Sequence, residues 1–255
     1  EESWHRMRDL RVLERAERAL ADGRIGAIGF SFHDRYEVFQ EIIDAYDGWT
    51  FCQIQYNYMD EDNQAGRRGL HYAAGKGLGV VVMEPIRGGQ LASPPPAIQA
   101  IWDSAPRKRS PAEWALQWVW NQPEVSLVLS GMSTLEQVQE NIASADRSGP
   151  GTLTAEELAL IARVRDKYRE LAPIPCTGCE YCQPCPSGVK IPRIFEIYND
   201  AIMYGTMEQA RMFYGWLQEE ERADRCAACG ECEEKCPQDI AIIEWLARVH
   251  QALGQ

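Results

Sequence analysis

A chain of 255 residues has room for one large domain or for a medium domain with a small one, and 45% hydrophobic with 25% charged residues is the balance of a folded globular protein. Its 38 Asp and Glu outweigh 26 Lys and Arg, giving −12 at pH 7, which speaks against nucleic acid and against anionic membranes as partners, since both call for a basic face. No stretch approaches the length of a transmembrane helix, and the charged N-terminus has no apolar core of a signal peptide.

Residues 3–22 read as a helix. Ser3 can cap it, and Met7, Leu10, Leu13, Ala16 and Leu20 recur every three or four positions until Asp22-Gly23. The short apolar run 25–30 reads as a strand. Residues 34–46 form an amphipathic helix with Val38, Phe39, Ile42, Ile43 and Tyr46 on one face. A strand over 51–57 and a helix over 63–76 follow, then a nearly continuous apolar strand over 78–84, the pattern of a strand buried on both faces. After a Gly- and Pro-rich stretch, residues 97–104 read as a short helix. Ser110-Pro111-Ala112-Glu113 then starts another, with a capping box and Pro at the first position. Residues 125–130 are the fourth strand. A helix with a capping box from Ser133 to Glu136 follows, and a further helix covers 154–171.

One helix followed by four strand–helix repeats implies a parallel sheet with right-handed crossovers. The pattern suits a small open sheet or part of a (β/α)8 barrel. Residues 172–175 read as a linker between a domain over 1–172 and a mostly helical one over 173–255. In the second, residues 191–203, 206–218 and 238–252 look helical, with Pro192 near one start and a capping box from Thr206 to Gln209.

Eight of the nine cysteines fall in two runs. The first is Cys176-Thr-Gly-Cys179-Glu-Tyr-Cys182-Gln-Pro-Cys185-Pro186. The second is Cys226-Ala-Ala-Cys229-Gly-Glu-Cys232-Glu-Glu-Lys-Cys236-Pro237. The second fits C-x2-C-x2-C-x3-C-P at every position, and the first has two residues instead of three before Cys185. A C-x2-C-x2-C loop can curl round one cubane and present three thiolates to three irons. Structural zinc would favour two C-x2-C pairs with a longer spacer, and a disulfide framework would need an oxidising compartment; both are weaker readings. Iron–sulfur clusters and free thiols fit a reducing cytosol.

These runs resemble dicluster ferredoxin domains. The resemblance implies two [4Fe–4S] clusters, with the last cysteine of each run crossing to the neighbouring cluster. Cys176, Cys179, Cys182 and Cys236 would hold one, and Cys226, Cys229, Cys232 and Cys185 the other. The shorter gap before Cys185 leaves open a lost cluster or an altered geometry there.

In parallel α/β folds, ligands sit at the carboxyl ends of strands. Those ends here are residues 29–33, 53–57, 83–89 and 130–133, the last continuing through 136–141. Their order and spacing resemble strands five to eight of the aldo/keto reductase barrel, in the subgroup with a C-terminal 4Fe–4S dicluster domain. The implied fold is a partial (β/α)8 barrel followed by a helical ferredoxin-type domain.

The resemblance implies a nicotinamide cofactor, NADP or NAD. Ser31 and Gln53 fall where side chains meet the nicotinamide carboxamide, and Met83 falls where an aromatic ring often stacks on it. Pro85, Ile86 and Gly88 fall beside the pyrophosphate. Gly131, Met132 and Ser133 lie at a helix N-terminus, which favours phosphate. Gln137 stands where many members have an Arg for the adenosine phosphate, and Glu140 and Asn141 fall near the adenine. From the residues alone, Ser31 and Gln53 equally read as satisfying strand-end hydrogen bonds, and Ser133 as a helix cap.

The family's acid Tyr and its Lys, Asp and His partners lie on or just after the first four strands. No catalytic residue is therefore carried over, and His5 is not given that role. The missing half of the barrel is expected upstream or from another chain, and the isolated chain is expected to be poorly stable or oligomeric. The implied activity is NAD(P)H-linked carbonyl chemistry on a small molecule, coupled through two clusters to a redox partner. The alternative is an electron-transfer protein on a non-catalytic barrel scaffold, and a third reading makes the clusters purely structural.

Overall fold

The computed structural model describes residues 1–254. It forms two compact units, one of Glu1–Ser93 with Ile101–Ala162, the other of Pro94–Ala100 with the residues from Arg163 onward.

The first unit is built on β1 (Gly29–Ser31), β2 (Phe51–Gln55), β3 (Gly79–Met83) and β4 (Val125–Val128). All pair in parallel in the order β1-β2-β3-β4, in register from Gly29 with Phe51 and from Phe51 with Gly79, with an irregularity between Val80 and Val81 against β4. The helices up to Leu171 are α1 (Glu2–Asp9), α2 (Val12–Ala21), α3 (Tyr36–Asp44), α4 (Gly66–Gly75), α5 (Pro96–Asp103), α6 (Pro111–Trp120), α7 (Leu135–Ala145) and α8 (Ala155–Leu171), of which α5 and α8 are divided between the two units. Cys52, Ile54, Val80 and Val82 are fully buried with Phe39 of α3 and Leu70 of α4. Gly69 permits that close approach: a Cβ there would stand 2.6 Å from the Ala65 Cβ and 3.1 Å from the Phe39 ring. A second cluster is aromatic. Trp114 of α6 stacks on Trp102 at 5.4 Å and 9°, and Trp118 packs against Tyr56 at 5.1 Å.

Several boundaries differ from those read in the sequence. The helix over 3–22 is two helices, because Arg11 takes a left-handed backbone (φ 50°) that an α-helix does not allow. β1 has only three residues, Gly29–Ser31, of which two fall in 25–30, and β2 ends at Gln55. β3 is not buried on both faces: Val80 and Val82 are covered, while Gly79, Val81 and Met83 are half-exposed, as expected for one face of an open sheet. On β4, Leu127 is 49% exposed. The capping box of α7 runs from Thr134 to Gln137, one residue beyond the expected pair, since Ser133 lies outside the first turn.

The second unit contains α9 (Ile191–Tyr204), α10 (Met207–Gly215), α11 (Glu231–Glu234) and α12 (Ile242–Leu253). α9 packs against α10 and α12 around Val189, Ile194, Phe195, Leu246 and Val249. Thr206 caps α10 by position but makes no side-chain hydrogen bond, and α12 begins after Ala241, so residues 238–241 are not helical. The stretch 172–175 is tied down: Ile174 is buried, its N–H donates to Asn199 Oδ1 (3.0 Å), and its carbonyl accepts from Asn199 Nδ2 (2.8 Å). Asn199→Ala should leave both backbone groups unsatisfied and cost about 2 kcal/mol. Urea unfolding of the cluster-loaded protein checks this, with unchanged stability counting against it.

Among the described residues, no helix is long and apolar enough to cross a membrane.

Candidate functional site

The two cysteine runs fold into loops of the same shape. In the first, Gly178 and Glu180 have positive φ (68° and 63°); in the second, the equivalent positions Ala228 and Gly230 do too (52° and 85°). Such left-handed positions turn successive backbone N–H groups toward one side, the arrangement found around iron–sulfur sites. Neither Glu180 nor Ala228 is a glycine, so periodicity and composition give no warning of them. Ala228→Gly should relieve the left-handed penalty, partly offset by backbone entropy, and stabilise the protein by about 0.5 kcal/mol. Thermal unfolding before and after the change reads this directly.

Cys176, Cys179 and Cys182 line a hollow together with Cys236 of the other run. Ile191, Pro192 and Phe195 of α9 complete it with Ile240 and Ile242, and no sequence motif marks these apolar walls. Burial pushes the Cys176 and Cys182 thiols up, and the neighbouring Cys179 and Cys236 push in the same direction. Cys232 is buried and pushed up to about 11, chiefly by that burial, with Cys226 and Cys185 close enough to add to it. Cys185 and Cys226 pack against the same apolar cluster as Cys232, while Cys229, on the run of Cys226 and Cys232, is exposed.

The short gap before Cys185 is closed by Gln183. Its Oε1 accepts from the Cys185 N–H (3.3 Å), and its Nε2 donates to the Val189 carbonyl (3.1 Å); the Gln183–Pro184 bond is cis. Among the described residues, no three His, Cys, Asp or Glu converge on a point that one ion could fill. Four soft thiols ringing a hollow with apolar walls fit a cubane cluster, whose sulfur ligands stand apart on separate irons.

A second feature lies at the carboxyl ends of β3 and β4. It is a cavity of about 740 Å³, within the range of small-molecule sites. Nine of the twelve residues singled out at the strand ends line it: Pro85, Ile86, Gly88, Gly131, Met132, Ser133, Gln137, Glu140 and Asn141. Ser31, Gln53 and Met83 do not. They sit on β1, β2 and β3, with Gln53 Nε2 against Met83 Sδ at 3.4 Å and Ser31 exposed.

Ser110 lines the cavity as well, and the sequence marks it only as a cap. Its hydroxyl accepts from the Glu113 N–H (3.0 Å) and donates to Glu140, so the helix start also orients that carboxylate. Asn141 is held by Nδ2 donating to Ser130 Oγ (3.0 Å). Gln137 Oε1 accepts from the backbone N–H groups of Ser133 (2.8 Å) and Thr134 (3.3 Å). Of the three positions expected to face a phosphate, Ser133 therefore has its N–H engaged by a side chain.

Beside the cavity, the segment that starts at Arg87 is fastened to the loop after β2. Asp60 Oδ2 accepts from Arg87 Nε (3.0 Å), Gln55 Nε2 (3.1 Å) and Asn57 Nδ2 (3.1 Å). Asn57 also donates to the Glu84 carbonyl (3.1 Å). Glu84 and Arg87 both carry positive φ (53° and 51°), so this network holds backbone that would otherwise relax.

His33 and His71 are exposed, and His250 is half-buried against the Tyr214 hydroxyl at 2.9 Å. Cys52 is fully buried in β2, its thiol pushed up to about 12 by burial.

The model of the aldo/keto reductase family matches residues 6–166, and that of the 4Fe-4S dicluster domain matches residues 175–241. A curated relative, the "uncharacterized oxidoreductase C215.11c" of Schizosaccharomyces pombe, is 30% identical over 89 residues, 35% of this chain and 28% of that protein. Among solved structures, aldo-keto reductase AKR11C1 from Bacillus halodurans, in its holo form, is 24% identical with a TM-score of 0.48, covering 58% of this chain and 53% of that one. An aldo-keto reductase from Klebsiella pneumoniae in complex with NADPH is 23% identical with a TM-score of 0.46, covering 60% and 52%. The chain spans about half the length of these reductases and under a third of the yeast protein. With more than half of its residues matched by one family model and its cysteine runs by the other, the chain belongs to the aldo/keto reductase family and carries a C-terminal 4Fe-4S dicluster domain.

Proposed function

We propose that the chain is part of an iron–sulfur oxidoreductase in which the strand-end cavity binds a nicotinamide dinucleotide and the two cysteine loops hold two [4Fe–4S] clusters. Cys176, Cys179, Cys182 and Cys236 would ligate one cluster, and Cys226, Cys229, Cys232 and Cys185 the other. The observation that carries the reading is the hollow lined by three cysteines of one run and the last cysteine of the other. When bound, the dinucleotide supplies hydride transfer at a carbonyl carbon and the clusters supply single-electron transfer.

The residues in hand would bind and orient. Pro85, Ile86 and Gly88 would bound the dinucleotide on one side of the cavity and the start of α7 on the other, while Ser31, Gln53 and Met83 would meet the nicotinamide end. Glu140 and Asn141 would accept from and donate to the adenosine. The acid–base group for the carbonyl oxygen would come from the barrel half that this chain does not carry. The reading also includes a domain boundary at 172/173, a small carbonyl substrate and a redox protein that exchanges electrons with the clusters.

Anaerobic reconstitution tests this. About eight irons and eight sulfides per chain, with a reduced-cluster EPR signal, are expected. Zinc in place of iron would refute the cluster assignment. Redox-inert clusters would leave them a structural role only.

A further inference from the structure

We propose that the exposed loop of residues 177–181 is the surface on which a carrier protein with a basic face exchanges single electrons with the first cluster, and that Tyr181 is its seat. The inference rests on the reading of the first cysteine run as part of a cluster site, and it names where the redox partner meets that site and with what chemistry.

The two cysteine loops share a shape and differ at one matched position. The residue just before the third cysteine is Tyr181 in the first run and Glu231 in the second, and both are exposed. Glu231 is used within the chain, pairing with Lys235 at 3.7 Å. Tyr181 is 64% exposed, and among the described residues it has no hydrogen-bond or ring partner. Trp216 is also exposed, but its ring lies 5.3 Å from that of Phe213. A large ring left in water gains free energy when a partner covers it, and Tyr is among the residues that most often carry binding energy at interfaces. Tyr181 also lines the hollow with Cys176, Cys179, Cys182 and Cys236. A protein seated on Tyr181 is therefore seated on the wall of the first cluster's site.

Charge selects the partner. Residues 175–241 hold twelve Asp and Glu against six Lys and Arg. Glu180, next to Tyr181, is exposed and has no ion-pair partner among the described residues. A carrier whose redox centre is ringed by Lys and Arg is drawn to this loop, and an acidic one is repelled. The step is the transfer of one electron: the reduced cluster loses it and the oxidised carrier gains it, with no bond made or broken and no proton moved.

The test is stopped-flow oxidation of the full-length, cluster-loaded, anaerobically reduced protein by two probes. One is oxidised cytochrome c, a basic one-electron haem protein, and the other is hexaamminecobalt(III), a small cation that needs no seat. Tyr181→Ser should slow the reaction with cytochrome c by about tenfold and leave that with the cobalt complex within about twofold, while Tyr181→Phe stays near the parent with both. Glu180→Lys should slow cytochrome c several-fold and flatten the dependence of its rate on salt. Glu231→Ser, at the matched position of the other loop, should have a smaller effect than Tyr181→Ser. Iron content and the reduced-cluster EPR signal report whether each variant keeps its clusters, and Glu180→Lys carries the test if Tyr181→Ser loses iron. Parental rates with cytochrome c in the variants that keep their clusters would overturn the inference and leave the cluster reading standing. So would equal slowing with both probes, which would mark a changed cluster, or equal slowing by Glu231→Ser. Absence of iron and of the EPR signal from the parent protein would remove the cluster reading and this inference with it.

Discussion

Cys179→Ser combined with Cys236→Ser should cost no more iron than Cys236→Ser alone, whereas Cys229→Ser combined with Cys236→Ser should strip nearly all of it. The asymmetry follows from the hollow in which Cys236 joins Cys176, Cys179 and Cys182 rather than its own run. Each single change should remove one cluster, about half of the bound iron. Two changes at one cluster are redundant, and two changes at different clusters are additive. If each run instead filled its own site, the outcomes would exchange places, because Cys229 and Cys236 would then share a cluster. Iron and sulfide analysis of the five proteins decides between the two schemes. The same variants should lose more stability than a thiol-to-hydroxyl change alone would cause. Cys236 lies 60 residues from Cys176, so a cluster held by both would close a long loop, and binding of a structural metal centre is itself folding free energy. Loss of helical circular dichroism at temperatures where the parent protein is intact would show this.

The alternation of strands and helices was legible because parallel strands and their crossover helices differ in apolar period, and that period survives in a single sequence. Val38, Phe39, Ile42 and Ile43 announce themselves that way, whereas β3 was legible only as a continuous apolar run that did not tell Val80 and Val82 from Val81. The break at Arg11 was not legible, since no Gly or Pro marks it and the apolar spacing continues across it. The capping box of α7 slipped by one because Ser133, Thr134, Glu136 and Gln137 offer two equally good pairs by residue type, and only the backbone geometry chooses. The cysteine runs were legible as ligand loops from their spacing. The apolar walls from Ile191, Phe195, Ile240 and Ile242 were not, because any buried apolar residue looks the same in sequence. At the strand ends, the sequence marked residues one at a time. It could not say that nine of them share one cavity, that Ser31, Gln53 and Met83 stand outside it, or that Gln137 turns back onto the backbone of Ser133.

The Asp60 network is the clearest case of a positioning device that no motif announces, and Asp60→Ala should have the largest effect outside the cysteine loops. One carboxylate oxygen accepts from Arg87, Gln55 and Asn57. The Asp60 and Arg87 side chains are only 12% and 15% exposed, so water does not readily replace the lost acceptor. Removing one partner of such a buried pair costs about 3 kcal/mol, far more than deleting an exposed ion pair. Asp60→Asn keeps an acceptor oxygen but loses the charge, and should fall between the two. Denaturant midpoints for the three proteins give the order.

A second consequence separates this site from an ordinary buried ion pair. Glu84 and Arg87 hold left-handed backbone at the edge of the cavity, and Asp60 and Asn57 are what tie that segment to the loop after β2. Without Asp60 the strained residues can relax, and Pro85, Ile86 and Gly88 move with them. Asp60→Ala should therefore weaken dinucleotide binding by about tenfold at a temperature where the variant is still folded, with Asp60→Asn weaker by a smaller factor. Calorimetry below the unfolding transition reads the affinity separately from the stability. A variant that lost the stability and kept the affinity would show that the network braces the fold and leaves the cavity to hold its own shape.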